Sequence, residues 1–169
     1  VPSYASELSQ GKEKSDEFAN KVFNLLILGL FFIVVIIEIF MPIFVFLIAP
    51  GFNGDSQKMD IVINLTRITF PFLFFISLAS FFSAILNSHN RFAAASAAPI
   101  ILNILLIGVL FSAKILNDNL VYYLSYAVTL AGIIQLIFLY FFVKKFYIPK
   151  FTIKIKVDDK VRNFFRKLV

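Results

Sequence analysis

The sequence predicts an all-α integral membrane protein that crosses the lipid bilayer four times with antiparallel transmembrane helices. Hydrophobic residues make up 60% of the 169 residues and charged residues only 15%, and the mean hydropathy is +0.88. A soluble domain of this length has no interior large enough for so much apolar surface. Four apolar runs, each long enough to span a hydrocarbon core of about 30 Å, then decide the architecture.

The composition also excludes several kinds of site. Cysteine is absent, so disulfides and thiolate metal sites are ruled out, and His89 is the one histidine, too few for a histidine metal site. No metalloprotease, nucleophile-elbow or phosphate-loop motif occurs. We therefore predict that the chain is not an enzyme and holds neither a metal nor another cofactor. His89 falls in a short polar loop, where we expect a solvated side chain.

The first predicted span comprises residues 22–49 and follows an amino-terminal arm, residues 1–21. Ser15 stands just before two acidic residues, an arrangement that is typical of a helix N-cap and its first turn. At the far side the dipeptide Pro50-Gly51 ends the span, because neither residue favours a continuing helix.

The second predicted span comprises residues 61–86 and lies between two polar loops, residues 50–60 and residues 87–91. Residues 92–115 then form the third span. Both loops are too polar for the hydrocarbon core, and such short connections are typical of helices that are antiparallel neighbours.

The fourth predicted span, residues 120–143, follows a tight polar turn at residues 116–119. Residues 144–169 form a basic tail. Apolar residues first alternate with Thr and Lys, and from Asp158 they fall at helical spacing opposite basic residues. We expect an extended stretch and then an amphipathic helix, both on an anionic membrane surface, leading to a further span.

Lysine and arginine predict the orientation, because cytoplasmic loops are enriched in both. The opposite side carries only Lys58, in the 50–60 loop, and Lys114, at the end of the third span. The arm, the 87–91 loop and the tail carry the others outside the spans: Lys12, Lys14, Lys21, Arg91, Lys144, Lys145, Lys150, Lys154, Lys156, Lys160, Arg162, Arg166 and Lys167. We therefore expect both ends to be cytoplasmic. This topology accounts for the net charge of +6, so we predict anionic lipids and no nucleic acid as partners.

Two charged residues, Glu38 and Arg67, lie well inside predicted spans, where a charge costs on the order of 2.5 to 3.5 kcal/mol. At a rise of about 1.5 Å per residue, Glu38 lies about 16 Å and Arg67 about 9 Å from the same side of the membrane. Two interpretations stay open. Either the residues pair or face a polar cavity that contacts substrate, or Arg67 extends to the interface while Glu38 packs in its protonated form.

Two uncharged polar residues, Asn103 and Gln135, lie in the third and fourth spans. We expect both side chains to form hydrogen bonds between helices, because a membrane interior offers no water as a partner. Contact with substrate is the alternative for each. Together with Arg67 and Glu38 they are the candidate substrate-binding residues.

An ordered series of short motifs runs through the first three spans. Its members are Ala49-Pro50-Gly51-Phe52, Arg67-Ile68-Thr69-Phe70-Pro71-Phe72-Leu73, Ile76-Ser77-Leu78-Ala79, Ile85-Leu86-Asn87, Asn90-Arg91-Phe92, Ala98-Pro99-Ile100 and Leu102-Asn103. In order and spacing, the series resembles the MurJ/MviN family of lipid II flippases. Gly132 and Gln135 in the fourth span resemble the sixth helix of that family.

The resemblance implies a transporter of the bacterial inner membrane that moves undecaprenyl-pyrophosphate-linked peptidoglycan precursor, lipid II, to the outer leaflet. It also implies a fold with two lobes around a central cavity that opens alternately to each side. The chain would match the family's third to sixth helices, which is most of the N-terminal lobe. On this match Arg67 falls on a basic position of the family's fourth helix.

Two other functions stay open. The cargo could be a different polyprenyl-linked oligosaccharide, carried by the same kind of lobe. A protein of another class, a membrane scaffold, could instead use the basic cytoplasmic face and tail to dock cell-wall enzymes. A flippase needs a second lobe, whereas a scaffold does not, so the complete reading frame separates these functions.

Overall fold

The fold was analysed in a computed structural model that describes residues 2–52, 56–112 and 120–151. All regular structure in these ranges is helical, which confirms the all-α class. The elements are α1 (Pro2–Ser9), α2 (Lys12–Ile39), α3 (Met41–Ile48), a 3₁₀ turn (Pro50–Phe52), α4 (Ser56–Thr69), α5 (Phe72–Ser88), α6 (Phe92–Phe111) and α7 (Leu120–Val143). The expected turn at 116–119 and the amphipathic helix of the tail lie outside the described residues.

Four helical stretches are long and apolar enough to cross a membrane: Lys12–Ile39, Ser56–Ser88, Phe92–Phe111 and Leu120–Val143. Their outward surfaces are strongly apolar. Leu47 is 71% exposed and Phe111 is 85% exposed, fractions that suit a side chain in contact with lipid tails. The chain is therefore a multi-pass membrane protein.

Helix α2 begins earlier than the sequence suggested. Gly11 is its N-cap and adopts φ = 128°, a conformation that costs glycine little because it has no Cβ. This turn lets the chain pass from α1 directly into α2. The expectation that Ser15 caps the helix is wrong: Ser15 is fully buried one turn inside, and its hydroxyl donates to the Lys12 carbonyl at 2.8 Å.

The first two predicted spans are each interrupted. Phe40, with φ = −96° and ψ = 22°, separates α2 from α3, and Pro42 follows within the first turn of α3. Phe70 and Pro71 separate α4 from α5. Proline lacks an amide hydrogen and its ring collides with the preceding turn, so it bends or breaks a helix at such places.

Most of the buried side chains form one cluster, the main core, to which α1, α2, α5, α6 and α7 contribute. Two of its members, Leu86 and Val143, are completely inaccessible. The members are Tyr4, Phe18, Ala19, Val22, Phe23, Leu78, Ala79, Phe82, Ile85, Leu86, Ala98, Leu139, Val143 and Tyr147.

A second, smaller cluster lies beyond the two interruptions. Helices α3 and α4 pack together there, and we call these two helices, together with Phe70 directly after α4, the distal hairpin. Its buried members are Met41, Val45 and Phe70. The ring of Phe70 meets that of Phe44 edge to face, with centroids 5.6 Å apart.

Helix α7 contacts α4, α5 and α6 and approaches α5 closely at Gly132. A Cβ at that position would lie 2.8 Å from Phe72 Cδ2 and 3.1 Å from Phe75 Cβ. Small residues allow membrane helices to pack at such short range. Gly132 therefore allows α7 to pack closely against the start of α5, next to the second interruption.

Candidate functional site

Glu38 and Arg67 both lie within one turn of a helix interruption. Glu38 is half-buried near the end of α2, and Arg67 is exposed in the last turn of α4. The charge of Arg67 acts on the Glu38 carboxyl group. No ion pair joins the two side chains in the part of the chain that the structure describes. The structure thus brings the two candidates into electrostatic range and not into contact.

Both residues precede a proline by four positions, Glu38 before Pro42 and Arg67 before Pro71. A helix normally pairs each carbonyl with the amide four residues later, and proline has none to offer. In addition, the Oε1 atom of Glu38 is buried and has no hydrogen-bond partner among the described residues. A buried carboxylate oxygen without a described partner and a basic side chain therefore both lie close to the interruptions. The common spacing from proline is a sequence signal for these two positions.

Thr129 supplies a partner at the second interruption. Its hydroxyl in α7 donates to the carbonyl of Ile68 in α4. Threonine side chains of neighbouring helices commonly satisfy backbone groups that a proline has freed in a membrane helix. Sequence analysis missed Thr129, because nothing in the sequence shows which threonine faces the broken turn.

Asn103 and Gln135 are not brought together. Asn103 is exposed on α6 beside Ile104, whereas Gln135 is only 1% exposed within α7. Neither side chain forms a hydrogen bond with another described residue, so the interhelical bonds expected for both stay predictions. The surface of α6 around Asn103 is exposed, and Gln135 lies buried three residues after Gly132 in α7. Its Oε1 is a buried acceptor without a hydrogen-bond partner among the described residues.

A polar network that the sequence did not reveal fastens the segment after α7 to α2. The Oδ1 atom of Asn20 accepts hydrogen bonds from the Tyr147 hydroxyl and the Lys150 amide, both at 2.8 Å. Asn24 donates from Nδ2 to the Lys150 carbonyl at 2.9 Å. Burial raises the pKa of Tyr147 above its ordinary value, so its hydroxyl stays protonated and donates. We call residues 147–150 the strap.

His89 lies beside the strap and is not the solvated residue that the sequence suggested. Its ring stacks on Phe146 with centroids 4.5 Å apart, and Nε2 lies 3.3 Å from the Tyr4 hydroxyl. Burial lowers the pKa of His89, the positive charge of Lys12 lowers it further, and Asp16 opposes both. The prediction failed because both neighbours are distant in sequence.

A cavity of about 300 Å³ opens where α6 begins and α7 ends. Two basic side chains line it beside aromatic and small residues. The lining residues are Leu86, Arg91, Ala93, Ala94, Phe142, Lys145 and Phe146. We call it the basic-end cavity. Elsewhere in the described ranges, no group of three or more His, Asp or Glu side chains lies close enough to hold a metal ion.

Comparison with known proteins gives a consistent result. The family model described as "Lipid II flippase MurJ" matches residues 1–169. Proteins of Rickettsia prowazekii (strain Madrid E) and Rhizobium tropici, both named "Probable lipid II flippase MurJ", are 36% identical to the chain. The alignments cover 86% of the chain and 28% of the Rickettsia protein, and 92% of the chain and 31% of the Rhizobium protein.

A third relative is the "Lipid II flippase MurJ" of Burkholderia cenocepacia, which is 37% identical over 92 residues. That alignment covers 54% of the chain and 18% of the relative. The chain therefore spans less than a third of the length of these three relatives.

Proposed function

The chain belongs to the MurJ family of lipid II flippases, and on that premise we propose that it forms part of a transporter for lipid II in the bacterial inner membrane. The observation that carries the proposal is the family match along residues 1–169. Four candidate spans support it, since a flippase must stand across the bilayer. The chain would contribute most of one lobe, and the complete transporter would work by alternating access.

The physical task explains why polar groups inside the spans matter. A pyrophosphate with its sugars and peptide cannot enter hydrocarbon without polar partners that replace water. We propose that Arg67 contacts the anionic part of the cargo. Its side chain is exposed and is not neutralised by a direct ion pair with Glu38. Glu38, whose buried Oε1 lacks a described partner, would limit how strongly Arg67 holds the anion.

Gln135 and Asn103 are weaker candidates for the same role. Gln135 has a buried acceptor that has no hydrogen-bond partner among the described residues and could accept a bond from a bound group. Asn103 lies on the exposed surface of α6, where a second lobe or the lipid could cover it. Both stay predictions, and neither is needed for the assignment to Arg67.

We also propose that both ends of the chain face the cytoplasm. Lys12 and Lys150 line one cleft, and Arg91 and Lys145 line the basic-end cavity. One end of the bundle thus carries basic residues from the arm, the 87–91 loop and the segment after α7. Cytoplasmic surfaces are enriched in lysine and arginine, so we expect this end to face the cytoplasm.

The test is a depletion and rescue experiment with the complete reading frame. Bacteria losing their own flippase would express the wild type, Arg67→Gln, or the control Lys14→Gln, which removes a cation on the arm outside the hydrocarbon. The readout is lipid II in the outer leaflet per amount of protein in the membrane. We expect rescue by the wild type and by Lys14→Gln, and exposure about tenfold lower with Arg67→Gln, because a charge-assisted contact is lost.

Two other results would change the conclusion. Full exposure with Arg67→Gln would remove Arg67 from the substrate route and leave the flippase assignment in place. Absence of rescue by wild-type protein that is abundant in the membrane would overturn lipid II as cargo and favour another lipid-linked oligosaccharide or a scaffold.

A further inference from the structure

We propose that the basic-end cavity binds the phosphate group of a resident anionic glycerophospholipid. This lipid would stay with the protein and is distinct from any cargo. The proposal rests on the walls of the cavity and on its level in the bundle, and it holds whether or not the complete protein flips lipid II.

The charge of the cavity favours an anion. Arg91 and Lys145 both line it, and no acidic side chain does. Neither cation has an ion-pair partner among the described residues. The Arg91 guanidinium lies 5.9 Å from the centre of the Phe146 ring, a cation–π contact that holds it at the cavity wall. Two uncompensated positive charges around one cavity attract a phosphate.

The start of α6 adds hydrogen-bond donors. Arg91 is its N-cap residue, and no side chain caps the first turn. Ala93 and Ala94, both in that turn, line the cavity. Amide groups in the first turn of a helix have no partner within the helix and favour negative charge. The small side chains of Ala93 and Ala94 let a phosphate oxygen approach the backbone closely.

The apolar walls favour a lipid over a free phosphate ion. Leu86, Phe142 and Phe146 form the remaining lining. Just outside it, Phe92 is 56% exposed and Ile100 is 54% exposed, so apolar surface continues from the cavity along α6. A phosphate with attached acyl chains can use this surface, whereas an inorganic ion cannot.

The level of the cavity matches that of lipid headgroups. Arg91 directly precedes the candidate span Phe92–Phe111, and Lys145 follows Leu120–Val143 by two residues. Basic residues at the ends of spans lie where the phosphates of anionic lipids are concentrated. The volume of about 300 Å³ is about ten times the share of one water molecule in the liquid, which is enough for a phosphate and part of its glycerol.

Another cleft at the same end shows what a poorer anion site looks like. It is lined by Lys12 and Lys150, but also by Glu13, Asp16 and Glu17. These carboxylates repel a phosphate and offset the attraction of the lysines. The basic-end cavity has the cations without the carboxylates, which is why the proposal concerns that cavity alone.

The test measures binding of dioctanoyl phosphatidylglycerol to the complete protein in phosphatidylcholine nanodiscs, by native mass spectrometry and by thermal stability. We expect Arg91→Gln with Lys145→Gln to remove one bound lipid, or to weaken its apparent affinity about tenfold. Lys144→Gln is the matched control. Lys144 neighbours Lys145 in sequence, but its Nζ lies 4.6 Å from the Phe141 ring centre and does not line the cavity.

A second variant separates lost binding from lost folding. Ala93→Glu places a carboxylate at the cavity wall in the first turn of α6, where negative charge stabilises a helix. We expect it to abolish the bound lipid while stability in phosphatidylcholine alone stays equal to that of the wild type or rises.

Three results would overturn the proposal. One is unchanged lipid binding in both the double variant and Ala93→Glu. Another is an equal loss with Lys144→Gln, which would mean that only the general positive charge of the surface matters. The third is displacement of the lipid by inorganic phosphate at equal concentration, which would identify a site for free anions.

Discussion

The main core and the distal hairpin differ in how many elements hold each buried side chain. The main core draws on five helices and the strap, whereas the distal hairpin buries three residues between two short helices. The helix interruptions at Phe40 and at Phe70–Pro71 lie at the boundary between the two. Local stability in a protein follows the density of such contacts. We infer that the distal hairpin is the part that opens at lower cost.

The surrounding lipid makes this difference more important than it would be in water. Lipid tails are as apolar as a leucine side chain, so burying apolar surface yields little free energy. Stability then depends on close packing and on hydrogen bonds between helices.

The largest effect is expected for Phe82→Ala in the main core. Phe82 is 3% exposed and its ring packs against Phe23 and Tyr140, with centroids 5.7 and 6.2 Å away. The cavity left behind should lower the free energy of unfolding by about 3 kcal/mol. Phe70→Ala in the distal hairpin should cost about 1 kcal/mol, because fewer neighbours lose contacts.

Equilibrium unfolding in mixed micelles measures both variants. Phe46→Ala is the control, since Phe46 is 54% exposed and should matter little. Equal losses for Phe82→Ala and Phe70→Ala would show that the interruptions do not divide the molecule into regions of different stability.

A smaller effect is expected for Asn20→Ala, which removes the acceptor of two hydrogen bonds to the strap. The free energy of opening the strap should fall by about 1 to 2 kcal/mol. Hydrogen exchange of the Lys150 amide should accelerate accordingly. Asn64→Ala is the matched control, because Asn64 is exposed on α4. Unchanged exchange at Lys150 would mean that the Asn24 hydrogen bond and the packing of the Tyr147 ring are sufficient to hold the strap.

The smallest effect is a pH dependence from His89 at the basic end. Its pKa is held below the ordinary 6.5 by burial and by Lys12. Between pH 6.5 and the lowered pKa, His89 therefore binds a proton more readily in the unfolded chain than in the folded chain. Stability should therefore fall as the pH drops from 6.5 towards the lowered pKa, and level off below it. Solvent screening keeps the change small.

Thermal unfolding of wild type and His89→Phe across this pH range measures the effect. Phenylalanine keeps the stacking on Phe146 and cannot titrate, so the variant should show a flatter profile. An identical profile in both proteins would assign the pH dependence to groups other than His89.

The sequence predicted the class and the family, because span length and ordered motifs are local properties. It did not predict the N-cap at Gly11, since the positive φ follows from the turn between α1 and α2. The partners of His89 were also missed, because Tyr4 lies 85 residues away along the chain. For the candidate site, the sequence identified Glu38 and Arg67, but only the structure shows that they remain out of contact and that Thr129 supports the broken turn.

The strap also has a consequence for biosynthesis. Asn20 binds Tyr147 across 127 residues and Lys150 across 130 residues. At a synthesis rate of about 5 to 20 residues per second, the Asn20 side chain waits on the order of ten seconds for these partners after leaving the ribosome. The bundle can be fastened at this end only after all four spans have been made. The strap is therefore a late step of assembly, and its closure marks a completed bundle.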